Sequence, residues 1–253
     1  MKLGAMNNPE KDLLKEIRSA GEMGFDFFEI AIEGPRAYPE ILAEKKAEVL
    51  DELSTYEMDV IAHLPWFFEL GHPYELVRSA YMKEAIKVLD SARSLGAEKL
   101  GLHISVPRGS FPDKLKRNIA SLRELKRKAD DLGVELFAEN YDLKTFTLDE
   151  FGRILDTGVG FLWDIGHANI GLLKEDDILL FLEFTDKLAH VHAHDNDGKE
   201  DQHLPIGVGR IDWRQVTKEL RKVYDGTVTL EIHAPDRDYL DLSRKKFKKL
   251  WFR

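Results

Sequence analysis

The chain has 253 residues, 43% apolar and 33% charged, with a net charge of −9 and no cysteine. That length holds one α/β barrel or two small domains with a large core, and the acidic balance argues against a general nucleic-acid coat. Without cysteine, disulfides, thiol nucleophiles and thiolate ligands are excluded, so any metal must be held by His, Asp and Glu. The first residues, MKLGAMNNPEKDLLK, lack the apolar stretch of a signal peptide. No apolar run approaches the roughly 20 residues that span a bilayer. A cytoplasmic protein with no membrane partner is expected. Abundant Lys and Glu, with only two Gln, also suit a thermophile.

Short β-type runs alternate with longer helical patterns from end to end, and no linker or low-complexity segment interrupts them. The strands are expected at Lys2–Ala5, Phe27–Ile32, Asp59–His63, Lys99–Ser105, Glu135–Glu139, Gly160–Asp164, Ala189–Asp195 and Thr227–His233. Helices are expected near Lys11–Met23, Pro39–Glu57, Tyr74–Leu95, Asp113–Leu132, Leu148–Asp156, Glu175–Leu188, Trp213–Val223 and Leu240–Leu250. Gly24, Gly96 and Gly133 stand where a helix must stop before the next strand. Eight such units in this length predict one domain over residues 1–253, a single (β/α)8 TIM barrel of the α/β class. A doubly wound sheet would announce itself with a glycine-rich loop after the first strand, where this chain reads Gly4-Ala5-Met6-Asn7-Asn8-Pro9.

Barrel enzymes place their chemistry at the C-terminal ends of the strands. The third strand ends at His63, the fourth carries His103, the fifth ends at Glu139 and the sixth at Asp164, with His167 three residues on. The seventh carries His192, its loop holds Asp201 and His203, and the eighth carries Glu231. Six consecutive strands thus bring a His, Asp or Glu to one rim. A lone residue of this kind is ordinarily just hydrogen-bonded; the convergence predicts a site for a divalent metal such as zinc or manganese. The set exceeds the needs of one ion and would serve one to three.

The motifs WDIGH and HVHAHDNDG…DQHLPIGVGRIDW, with GFDFFE on the second strand, resemble the xylose-isomerase-like TIM barrel superfamily over essentially the whole chain. That superfamily holds sugar isomerases and epimerases together with the endonuclease IV repair enzymes. The resemblance implies a first position at His63, His103 and Glu139. A second would use Glu139, Asp164, His192 and Glu231, and a third His167, Asp201 and His203. The sugar enzymes of the superfamily need only the second.

Two activities follow from the resemblance. As a sugar or sugar-phosphate isomerase or epimerase, the metal would stabilise an enediolate by Lewis-acid polarisation. Glu139 and Glu231 would move the proton, and Trp66, Asn140 and His167 would contact the small-molecule substrate. Related epimerases often carry an Arg shortly after the seventh-strand His; position 198 is Gly here, and no Arg occurs until Arg210. As an abasic-site phosphodiesterase, the same ligands would hold a zinc cluster against DNA. The loop after the second strand opposes that reading, because Glu29, Glu33, Glu40 and Glu44 surround a lone Arg36. Trp66, Phe67 and Phe68 could form a wedge in DNA, a wall of a sugar pocket, or core packing. His190 is expected deep in the barrel and His194 near the site. Asp195 and Asn196 would orient the seventh-strand His or cap its loop. The basic tail Arg244–Arg253 is expected to be the solvated face of a helix that buries Phe247, Leu250 and Trp251. The sequence does not define an oligomeric state.

Overall fold

A computed structural model describes residues 1–105, 113–172 and 175–252. Eight parallel strands, β1 (Lys2–Met6), β2 (Phe27–Ala31), β3 (Asp59–His63), β4 (Lys99–His103), β5 (Glu135–Glu139), β6 (Gly160–Asp164), β7 (Leu188–Ala193) and β8 (Thr227–Leu230), lie in sequence order. β8 pairs with β1 and closes the barrel. This is a single (β/α)8 barrel, as the alternation of units predicts. β7 and β8 stop short of their expected limits, so Asp195 and Glu231 lie in the loops just past the strand ends.

The outer layer contains α1 (Leu13–Met23), α2 (Pro39–Glu44), α3 (Lys46–Thr55), α4 (Glu75–Ser94), α5 (Lys114–Leu132) and α6 (Leu148–Leu155). It continues with α7 (Ile165–Asn169), a 3-10 segment (Glu175–Lys187), α8 (Trp213–Leu220) and α9 (Asp238–Trp251). Their ends are written locally. The Asp12 carboxylate caps α1, and Thr147 with Glu150 forms a reciprocal capping box on α6. Gly24, Gly96 and Gly133 all take the left-handed backbone that stops a helix at little cost. The helix expected over 39–57 divides in two at Lys45, and the one expected over 175–188 winds as the tighter 3-10 form.

Two apolar regions hold the fold. Outside the strands, Trp163, Phe161, Phe151 and Phe247 are buried in a continuous core under the helices. Inside the barrel, Phe27, Ile61, Phe137 and Leu162 form a separate cluster near its N-terminal end. Adjacent strands are staggered, so that Ala31 pairs with His63, His63 with Gly101, His103 with Glu139, and Asp164 with His192. The same face that carries the apolar plug therefore delivers polar residues one or two pairs further along. On α9, Phe247 and Trp251 are buried and stacked, as the pattern of the basic tail predicts; Arg253 at its end lies outside the described residues. Among the described residues, no helix is long and apolar enough to cross a membrane.

Candidate metal centre and active site

Five strands and one strand-end loop bring His63, His103, Glu139, Asp164, His192 and Glu231 together at the C-terminal mouth. The Glu139 carboxylate is fully buried, with His63 Nε2 at 3.2 Å, His103 Nε2 at 3.3 Å and His167 Nδ1 at 3.0 Å. His192 Nδ1 lies 3.3 Å from Glu231, 3.8 Å from Glu139 and 3.9 Å from Asp164. Close approach is made possible by Gly101, where a Cβ would stand 2.6 Å from the His63 ring.

The far nitrogens of these imidazoles decide what the near ones offer. His63 Nδ1–H donates to the Leu64 carbonyl at 2.7 Å, and His203 Nδ1–H donates to the Glu231 carbonyl at 3.1 Å. His167 Nδ1–H donates to the Asn140 carbonyl at 3.2 Å. A carbonyl only accepts, so in each neutral ring Nε2 carries a bare lone pair, and each faces a carboxylate. Lone pairs facing carboxylates at about 3 Å repel unless a proton or a metal ion lies between them. The donor set, nitrogen and oxygen only, fits a divalent ion such as zinc or manganese. His192, Asp164 and Glu231 have donor atoms within 4.8 Å of one another, as do His63, Glu139 and His192.

Electrostatics express the same demand. Burial opposes the charged form of Glu139, but the facing imidazoles, above all His167 and His63, hold its carboxyl well below the ordinary range. Burial likewise opposes the Glu231 anion, and the adjacent His192 charge overcomes it and pushes the pKa down. Burial works against the His192 cation too, yet the charges of Glu231 and Glu29 lift its pKa well above the usual value. His103, by contrast, is pushed down to about 4 by burial and stays neutral.

A second cluster lies outward. Asp201 Oδ2 is 3.2 Å from His167 Nε2 and 3.0 Å from His203 Nε2. His194, fully buried, places Nε2 at 3.1 Å from Asp164 and 3.6 Å from Asp201 Oδ1. His194, His203 and His233 stack in succession, with ring centroids 4.0 and 4.2 Å apart. His194 thus enters the site, whereas His190 sits deep in the barrel between the rings of Phe27 and Phe137.

Asp195 caps the loop that carries this cluster. Its buried carboxylate accepts from the Gly207 and Ile211 backbone N–H groups and from the Trp213 indole. With about 1–3 kcal/mol for each buried donor left unpaired, Asp195→Ala is expected to lower unfolding stability by at least about 3 kcal/mol. Urea denaturation measures this; a change below about 1 kcal/mol would contradict the capping role. The Arg missing at position 198 is answered in space: a Cβ on Gly198 would meet Arg210 Cδ at 2.9 Å and Nη1 at 3.2 Å. Arg210 therefore lies over Gly198.

Asn140 and Trp66, the other expected substrate contacts, lie in different surroundings. Asn140 spends its amide on β6, accepting from the Asp164 N–H at 2.8 Å and donating to the Asp164 carbonyl at 3.0 Å. Trp66 stands apart, 66% exposed and edge-on to Phe67, while Phe68 packs partly into the core. Two participants escaped the sequence reading. Tyr141 stacks on His167 at 5.5 Å. Glu29, grouped with the acidic loop residues, is instead fully buried inside the barrel. A carboxylate in the middle of the otherwise apolar strand FFEIA was the available signal.

The profile of the family described as Xylose isomerase-like TIM barrel matches residues 17–250, and the chain belongs to that family. The uncharacterized protein MJ1311 of Methanocaldococcus jannaschii is 28% identical over 87% of this chain and 79% of its own length. Both named chemistries of the superfamily occur among the relatives. Fructoselysine 3-epimerase of Escherichia coli O157:H7 is 24% identical over 85% of this chain and 83% of its own length. A probable endonuclease 4 of Aquifex aeolicus is 23% identical over 94% and 93%. In structure, a D-tagatose 3-epimerase-like protein superposes with a TM-score of 0.84 at 26% identity, covering 99% of this chain and 97% of that one.

Proposed function

We propose that the chain is a divalent-metal-dependent epimerase or isomerase acting on a small sugar or sugar phosphate. The observation that carries this reading is His192 Nδ1, buried without a hydrogen-bond partner and facing Glu139, Asp164 and Glu231. An ion held by these four residues would supply Lewis-acid polarisation of adjacent substrate oxygens. Glu139 and Glu231 reach the same space from β5 and from the end of β8. One takes the proton from the carbon beside the carbonyl and the other delivers a proton to the opposite face. His167, braced against Asn140 and Tyr141, presents Nε2 toward the mouth and holds a substrate hydroxyl.

Surroundings favour a small polyol over duplex DNA. Beyond β2, Glu33, Glu40 and Glu44 outnumber Arg36, a balance that suits phosphate backbones poorly. The gathered outer residues His167, Asp201 and His203 are the observation favouring a phosphodiesterase. One experiment separates the two. Protein loaded with manganese, cobalt or zinc is incubated in D2O with a panel of ketoses and their phosphates. Deuterium at the carbon beside the carbonyl, with appearance of the epimer, is expected. No exchange on any member, together with cleavage of an abasic-site duplex, would reverse the assignment.

Metal binding should also depend on pH in a definite direction. Burial opposes the His203 cation, but the Asp201 hydrogen bond and the Glu231 charge push its pKa up to about 9, and His167 and His192 are also raised. An ion must displace these protons. Affinity is therefore expected to strengthen as pH rises from 6 toward 9, as read by competition with a fluorescent chelator; a flat profile would contradict protonation of the metal-free cluster.

A further inference from the structure

Glu29 points from β2 into the barrel interior and is fully buried there. Its carboxylate receives His192 Nε2 at 3.2 Å on both oxygens, His190 Nε2 at 3.1 Å and the Thr229 hydroxyl at 2.5 Å. A carboxylate anion only accepts, so every one of these partners must donate. His190 is free to do so because its Nδ1 lies 2.7 Å from the Thr227 hydroxyl, which can donate to it. The neutral His192 ring, the form that can bind a metal, thereby keeps its proton on Nε2 and its lone pair on Nδ1, the atom that faces Glu139, Asp164 and Glu231.

We propose that Glu29 is a positioning residue that fixes the tautomer and ring orientation of His192 and so sets the metal affinity of the central site. The proposal rests on the metal-dependent reading above. The arrangement is a carboxylate–imidazole pair behind a metal ligand, in which the buried anion raises the basicity of the ligating nitrogen. Packing keeps Glu29 itself from competing for the ion. Its oxygens are occupied by three side chains, and the Phe27 and Phe137 rings close the space around His190 beneath it. His190 then has a role as well: it helps neutralise Glu29 and holds it against β7, so that Glu29 keeps one geometry.

The test is zinc affinity, measured by competition with a chromophoric chelator, for the wild type and Glu29→Gln. An amide presents one acceptor and one donor where two acceptors stood, so His192 loses its unique tautomer. A ten- to hundred-fold loss of affinity is expected, in line with the usual effect of removing such a partner. A merely structural Glu29 would lower the melting temperature and leave zinc affinity within about two-fold, which would overturn the proposal. Should the variant fail to fold, the wild type decides. In the 15N imidazole spectrum of the zinc-loaded protein, His192 is expected to show a protonated Nε2 and a zinc-bound Nδ1. Zinc on Nε2 would sink the positioning role alone. A wild type that binds no zinc, manganese or cobalt would sink the metal-dependent reading with it.

Discussion

Glu139→Gln is expected to abolish solvent deuterium exchange into one epimer and to lower epimerisation by about 10²–10⁴-fold, the usual contribution of a positioned acid or base. Glu231→Gln should give a comparable loss with the opposite epimer as the affected substrate. The two carboxylates approach from different strands and have different neighbours. Glu139 is enclosed by His63, His103 and His167, whereas Glu231 leans on His192 and His203. Deuterium incorporation, followed separately from each epimer, reads the two half-reactions independently. Equal loss of both half-reactions in each variant would assign both residues to metal binding alone. Retained activity in both would remove them from the chemistry.

Removing the metal is expected to have the second large effect, and on two observables at once. Dialysis against a chelator should abolish activity, with recovery on adding back manganese, cobalt or zinc. Stability should fall in parallel, because Glu139, Asp164 and Glu231 crowd together and, among the described residues, are balanced by protonated imidazoles. An ion present at a hundred times its dissociation constant stabilises by about 2.7 kcal/mol. For a chain of this size that corresponds to a melting-temperature rise of about 5–10 °C. Calorimetry with and without the ion checks this; a melting temperature indifferent to metal would deny the carboxylate cluster its proposed ligand.

Much of this was legible in the chain because barrels repeat one physical solution. Glycines at 24, 96 and 133 end helices by their left-handed backbone, and the runs that follow alternate into strands. Metal chemistry without cysteine narrows the ligands to His, Asp and Glu, so residues at strand ends such as Asp164 and His192 stood out. What escaped depends on tertiary closure or on short-range capping. Helix α7 has only five residues, too few for a periodic pattern, and starts because Asp164 accepts from the His167 N–H at 2.6 Å. Glu29 read as one more acid beside Glu33, Glu40 and Glu44. Only the closure of β2 opposite β7 supplies the histidines that make its burial tolerable. The position of Arg210 over Gly198 was equally hidden, since the two are twelve positions apart in sequence.

The plug of Phe27, Ile61, Phe137 and Leu162 has a consequence for traffic. Among the described residues it fills the barrel interior below Glu29, so a ligand at the strand-end site would enter and leave by the C-terminal mouth. Substrate and product pass through the same opening and leave the same vacancy behind, so neither can be channelled onward through the barrel. Under the proposed epimerase activity, each epimer would compete with the other for entry, and net flux would slow as the pair nears equilibrium. Sustained conversion in one direction would depend on whatever consumes the product outside.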